Sequence, residues 1–168
     1  MIHHFKIAPI VTFFALLILA AVVMPANAQD YKSLEGINGV NTIFDFREST
    51  PASVLGHLSL VHKTYKDKAI RSIDEAPEFV VVFMGPSVKL LSSDRREFSA
   101  KERATLEKMD SVISAMAEDG IRLEVCLFAV SSFGVDPESI ASEINRVPNG
   151  WISSIGYQVK GYALIPVF

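Results

Sequence analysis

Six consecutive residues, 79–84, read FVVVFM with no polar residue among them. The run is too short for an ordinary buried helix and too uniformly apolar to have a wet face, so it predicts a central strand of a parallel sheet, covered on both sides. Such a strand dictates its surroundings, because parallel neighbours need crossover connections and the crossovers become the helices that cover the sheet.

The flanking sequence supplies those connections. Residues 40–46 (VNTIFDF) predict a first strand, and Ser49-Thr50-Pro51 a helix start, with a hydroxyl cap and proline at the first helical position. Val54, Leu58, Val61 and Tyr65 then recur at helical spacing, with Leu55 widening the stripe, and the helix is expected to end near Lys68 before a loop at 73–77. Gly85-Pro86 breaks the central strand; residues 87–91 suit a short helical turn, and 92–98 are polar. Ser99 and Glu102 form a capping box ahead of Leu106, Met109, Ile113 and Met116, which line one face of a helix stopped by Gly120. Ile121, Leu123 and Val125 alternate with Arg122, Glu124 and Cys126, giving a third strand with the thiol at its exit. Residues 127–133 predict a brief helix closed by Gly134, and Asp136-Pro137 opens another expected to carry Ile140. A fourth strand at 144–147, a turn at Pro148-Asn149-Gly150, a helix at 151–160 and a last strand at 162–167 complete the chain, with Pro166 marking that strand as an edge or its end. Strand and helix alternate throughout, which calls for an α/β domain: a mostly parallel five-stranded sheet with helices on both faces.

The first 28 residues stand apart. His3, His4 and Lys6 form a weakly basic lead, residues 10–24 are apolar throughout, and Pro25-Ala26-Asn27-Ala28 places small residues where a signal peptidase reads. Cleavage after Ala28 is the expectation, with an uncleaved anchor as the competing reading and Pro9 and the Ala-x-Ala end against it. That makes 1–28 a signal peptide, 29–39 an extended lead-in and 40–168 one domain, exported to the periplasm and free of the membrane once cleaved. Of 168 residues one is cysteine, so no intramolecular disulfide exists, and an exported domain of this size must be held by packing alone. A net charge of -3, with basic and acidic residues interspersed, gives no footprint for nucleic acid.

In an open parallel sheet, chemistry gathers where strands end and loops turn to the following helices. Residues 46–50, 84–87 and 126–127 are sent to one such edge. A thiol there meets free backbone N–H groups and the positive end of a helix dipole, both of which favour thiolate. Against this stands the ordinary behaviour of cysteine as a small buried hydrophobe.

The stretch Val125-Cys126-Leu127-Phe128-Ala129-Val130, running on to Gly134-Val135-Asp136, resembles the cysteine segment of the DsrE/DsrF-like family of small sulfur-relay proteins. The tail from Val147-Pro148-Asn149-Gly150 through Gln158 to Lys160-Gly161-Tyr162 and Ile165-Pro166 is similar to that of exported members, and residues 80–85 with 88–91 fit the same pattern. The resemblance implies a flavodoxin-like fold, homo-oligomers (trimers or hexamers), and a cysteine, Cys126, that accepts sulfur as a persulfide and passes it on. No cofactor and no metal is expected; the partners would be sulfur donor and acceptor proteins or small thiols. Gly85, Ser87, Leu127 and Asn149 are the expected neighbours of the thiol, Ser87 and Asn149 being equally at home as turn residues. Export departs from the family's mostly cytoplasmic relays.

His57 and His62 are five residues apart on one helix and so point about 140° from each other, which prevents joint metal chelation from that helix. The mixed-charge run at 94–103 reads as a solvated face. No Gly-rich phosphate loop, CxxC, HExxH or nucleophile elbow occurs. Three functions remain: a persulfide carrier or sulfurtransferase, a non-catalytic oligomeric binding or scaffold protein with a buried Cys126, and a redox sensor whose Cys126 pairs between chains.

Overall fold

Five strands form one sheet in the order β4-β3-β2-β1-β5: β1 (Asn41–Phe46), β2 (Glu78–Phe83), β3 (Arg122–Cys126), β4 (Asn145–Val147) and β5 (Ala163–Val167). Every pairing is parallel. The computed structural model describes residues 31–168, so the signal expected at 1–28 and the first two residues of the lead-in lie outside the described residues. The described lead-in carries one exposed 3-10 turn, Lys32–Leu34. Among the described residues no helix is long and apolar enough to cross a membrane.

All of the FVVVFM run but Met84, which lies just past the strand, falls in β2, with β1 on one side and β3 on the other, and residues 79–84 are buried. Its two faces meet different partners. Phe79 touches Phe44 of β1 and Tyr65 of α1 (Pro51–Tyr65), with ring centroids 5.2 and 5.4 Å apart, and α3 (Ala100–Glu118) packs beside α1. Val82 is in register with Glu124, whose carboxylate accepts hydrogen bonds from Ser153 and Tyr157 of α5 (Gly150–Val159), so α5 covers the opposite face. Right-handed crossovers explain the split. The chain steps from β1 to β2 to β3 in one direction, placing α1 and α3 on one face, and the return from β4 across the sheet to β5 places α5 on the other.

Local signals act where the sequence puts them. Thr50 Oγ1 accepts from the Ser53 N–H at 3.3 Å with Pro51 at the first helical position, and Ser99 and Glu102 close both halves of their capping box. Val54, Leu58, Val61 and Tyr65 are all buried, each adding roughly 1.5–3 kcal/mol of transfer free energy. β5 pairs only with β1 and forms an edge, as Pro166 requires.

Two expectations are corrected. The first helix stops at Tyr65 rather than near Lys68, because Asp67 turns extended and its carboxylate accepts from the Ala69 N–H at 2.8 Å, starting a separate α2 (Lys68–Ile73). The helix expected after Asp136-Pro137 is a single 3-10 turn, Pro137–Ser139. Ile140 is extended and bridges Ser92, and the Arg146 guanidinium takes the Pro137 and Ile140 carbonyls at 2.8 and 2.9 Å, so nothing is left to propagate a helix.

Candidate functional site

Cys126 is the last residue of β3, beside Val147 of β4, and α4 (Leu127–Ser132) starts immediately after it. The winding of the chain reverses at β4, so the exits of β3 and β4 bound the crevice where a doubly wound sheet opens to ligands. A pocket of about 290 Å³ lies there, lined by Cys126, Arg47, Met84, Phe128, Asn149 and Trp151 among others. The thiol is 5% exposed and belongs to the floor of this pocket. Phe128 and Trp151 at its walls are 72% and 62% exposed.

The expected neighbours separate into two groups. Gly85, at φ 57°, and Asn149 line the pocket with Cys126. Asn149 is also the cap of α5, its Oδ1 accepting from the Trp151 N–H at 3.0 Å. Ser87 and Leu127 are not part of the lining. Ser87 is fully buried, and its hydroxyl bonds the carbonyls of Phe46 and Met84 at 3.0 and 2.9 Å, clipping together the exits of β1 and β2. Leu127 is half-buried against the core. One backbone donor expected beside the thiol is occupied, since the Phe128 N–H bonds the Pro148 carbonyl at 3.3 Å.

Three features of the site go beyond the sequence expectations. Arg47, one residue past β1, brings a guanidinium into the pocket wall; its Nε donates to both Asp45 oxygens at 2.9 and 3.0 Å, and Nη2 stands 4.0 Å from Met84 Sδ. The period-2 placement of Asp45 and Arg47 at the end of a strand sent to the same edge was the available signal. Gly150, read only as a turn residue, is where α5 touches the sheet. A Cβ there would stand 2.7 Å from Met84 Sδ and 3.0 Å from Cys126 Cβ, so only glycine lets the helix sit this close to the thiol.

The third feature is the orientation of α5. Its inward face is polar: Ser153 and Tyr157 bond the buried Glu124, Arg122 Nη1 donates to Tyr157 Oη at 3.2 Å, and the buried Ser154 hydroxyl has no partner among the described residues. Its outward face is apolar, with Ile152, Ile155 and Val159 exposed beside Trp151, and Leu164 and Ile165 of β5 are exposed as well. Burial and the Glu124 carboxylate raise the Tyr157 hydroxyl above its ordinary range. Tyr162, which donates to Glu78, is pushed up to about 12 by burial and that carboxylate.

Other titratable groups are accounted for locally. His57 Nδ1 lies 2.8 Å from Glu48, while His62 lies against Asp119, whose carboxyl is held down by Lys66 and then His62. No group of three metal-ligating side chains occurs among the described residues. A larger hollow of about 460 Å³ is lined by Lys89 paired with Glu97 and Arg96 paired with Asp94, the latter carboxyl held at about 2 by its arginine, and by Asp136, whose carboxylate accepts from the Glu138 N–H. Exposed charges so largely self-paired give that hollow little to offer a ligand.

A family model described as the DsrE/DsrF-like family matches residues 52–167. This chain belongs to that family. An uncharacterized protein of Aquifex aeolicus (strain VF5) is 26% identical over 110 residues, covering 65% of this chain; the chain spans about half, 48%, of that relative's length. A solved protein of unknown function from Methanobacterium thermoautotrophicum superposes with a TM-score of 0.59 at 20% identity, over 76% of this chain and 98% of that one. The ychN protein from E. coli superposes with a TM-score of 0.52 at 8% identity, over 77% and 99% of the two chains. At these identities the solved structures establish the DsrE-like, flavodoxin-like fold and no more.

Proposed function

We propose that this DsrE-like protein is an exported persulfide carrier, a sulfurtransferase that accepts sulfur on Cys126 and hands it to an acceptor thiol. The observation that carries the reading is the position of the chain's one thiol, at the exit of β3 on the floor of a pocket at the reversal of the sheet. In the first step the Cys126 thiolate attacks the terminal sulfane sulfur of a donor; the new S–S bond forms as the donor's bond to that sulfur breaks, and the donor residue leaves with the electron pair. In the second, an acceptor thiolate attacks the outer sulfur and Cys126 leaves as thiolate. No second cysteine of the chain is present to expel the sulfur by closing an intramolecular disulfide.

The outward apolar face of α5, continued by Leu164 and Ile165, supports assembly into a homo-oligomer, trimeric or hexameric as in the family. The signal-like sequence at 1–28 supports delivery to the periplasm, where donor and acceptor would be local proteins or small thiols. The burial of Cys126 favours one competitor, the scaffold with an inert thiol.

Intact-mass measurement after incubation with inorganic polysulfide separates the two. A carrier gains one sulfur atom under native conditions, and Cys126→Ser gains none. An adduct that forms only after unfolding in urea would overturn the carrier and leave the scaffold.

A further inference from the structure

Among the described residues, Arg47 is the one charged side chain in the lining of the Cys126 pocket; the others there are apolar or neutral. Its pairing is asymmetric. Asp45 holds Nε with both oxygens from outside the lining, whereas the Nη atoms have no oxygen partner among the described residues and meet only Met84 Sδ. The ion pair is therefore neutral overall but polarised, with donor N–H groups at the pocket and the carboxylate behind them. A guanidinium fixed at one edge of its fork presents its other edge to an oxyanion in a preset orientation.

Much of the rest of the lining is apolar. Phe128 and Trp151 are large, exposed aromatics, and Met84 and Ala129 continue the apolar surface. The volume of about 290 Å³ lies at the small end of ligand sites, suited to a compact molecule rather than to a nucleotide or a folded partner.

We propose that Arg47 is the anion-recognising residue of this pocket and that the sulfur donor it selects is a small organic thiosulfonate, its oxyanion on Arg47 and its apolar body against Phe128 and Trp151. The inference rests on the carrier reading of Cys126 above and adds the donor's class. The transfer balances without an outside oxidant or reductant. The Cys126 thiolate attacks the terminal sulfur of R–SO2–S⁻, the S–SO2R bond breaks, and the sulfinate R–SO2⁻ departs with the electron pair, leaving Cys126–S–S⁻. Arg47 faces the sulfonyl oxygens, on which negative charge grows as the sulfinate forms.

The test uses the mature protein and two variants, Arg47→Gln and Arg47→Lys. Persulfide formation with benzenethiosulfonate is followed by intact mass, and Cys126 alkylation is timed with iodoacetate and iodoacetamide, which differ in charge far more than in size. The rate ratio of iodoacetate to iodoacetamide is expected to fall roughly tenfold in Arg47→Gln, and persulfide formation to slow by a similar factor, the loss of one charge-assisted hydrogen bond. Arg47→Lys, which keeps the charge, retains most of both. An unchanged ratio in Arg47→Gln with Cys126 still labelled would sink the role of Arg47 and leave the carrier intact. No labelling of native wild-type protein by any of the three reagents would sink both.

Discussion

Alanine at Gly150 and alanine at Gly156 are the same substitution in the same helix, and the structure gives them opposite signs. Gly156 lies in the body of α5, exposed, with nothing within 4 Å of an added Cβ. There alanine removes only the backbone freedom of glycine and is expected to stabilise by about 0.5–1 kcal/mol. At Gly150 the added carbon meets Met84 Sδ at 2.7 Å, Met84 Cγ at 2.9 Å and Cys126 Cβ at 3.0 Å. Met84 is itself buried, and Cγ is not the free end of its side chain, so the methionine cannot simply swing aside. Forcing a methyl group into such packing costs about 1–3 kcal/mol, from which the propensity gain, smaller at a first helical position, is subtracted. The expected net loss is about 1–2 kcal/mol, and thermal midpoints should fall by roughly 3–8 °C for Gly150→Ala and rise by a few degrees for Gly156→Ala. Urea unfolding followed by circular dichroism, with equal m-values across the set, supplies the comparison. Gly150→Ala matching or exceeding wild-type stability would refute the close approach of α5 to Met84 and Cys126.

Two further outcomes follow from the bonds of Glu124 to α5 and of Tyr162 to Glu78. Glu124→Leu removes the acceptor of both Ser153 and Tyr157 and is expected to cost about 2–3 kcal/mol, while Glu124→Gln, which keeps an acceptor oxygen, costs about 1 kcal/mol; equal urea midpoints for wild type and the leucine variant would show that these bonds do not hold the helix. Alkali gives an independent check. Tyr162 is raised to about 12, and Tyr157 is raised as well, so the folded chain keeps protons that the unfolded chain releases from about pH 10. Their contribution is intact below about pH 10 and is lost as pH climbs toward the folded values. Tyr162→Phe should flatten the fall in urea midpoint over that range, and a wild-type midpoint that does not move there contradicts the assigned environment.

What the sequence disclosed followed from how locally each signal acts. The FVVVFM run, the Thr50-Pro51 start, the Ser99–Glu102 box and the Pro166 edge each act through a few neighbouring residues, and each stands where the chain placed it. The positions that escaped depend on partners far along the chain. Alternation along β3 placed Glu124 opposite Leu123 and Val125 but could not say that its face would be covered by a helix of serine and tyrosine. The 3.6-residue stripe of Ile152, Ile155 and Val159 marks an amphipathic helix; that its apolar side turns outward depends on Glu124, some thirty residues earlier. Gly150 looked like one more turn glycine because the methionine it abuts, Met84, lies just past β2, far back along the chain. Arg47 lay in a segment expected at the correct edge, and its period-2 spacing from Asp45 was a local signal that placed it there without telling its role from that of a solvated arginine. The Cys126 position was legible because strand period and strand end coincide there.

Two strands far apart along the chain close one side of the sheet: β5 aligns with β1 from Thr42↔Ala163 to Phe46↔Val167. Until those closing residues arrive, β1 has one flank of backbone amides and carbonyls without a mate, a ready seat for a stray segment of another molecule. Synthesis cut short after α5 would therefore yield a sticky four-stranded fragment rather than a slightly weakened domain. Long-range closure of this sort also slows folding.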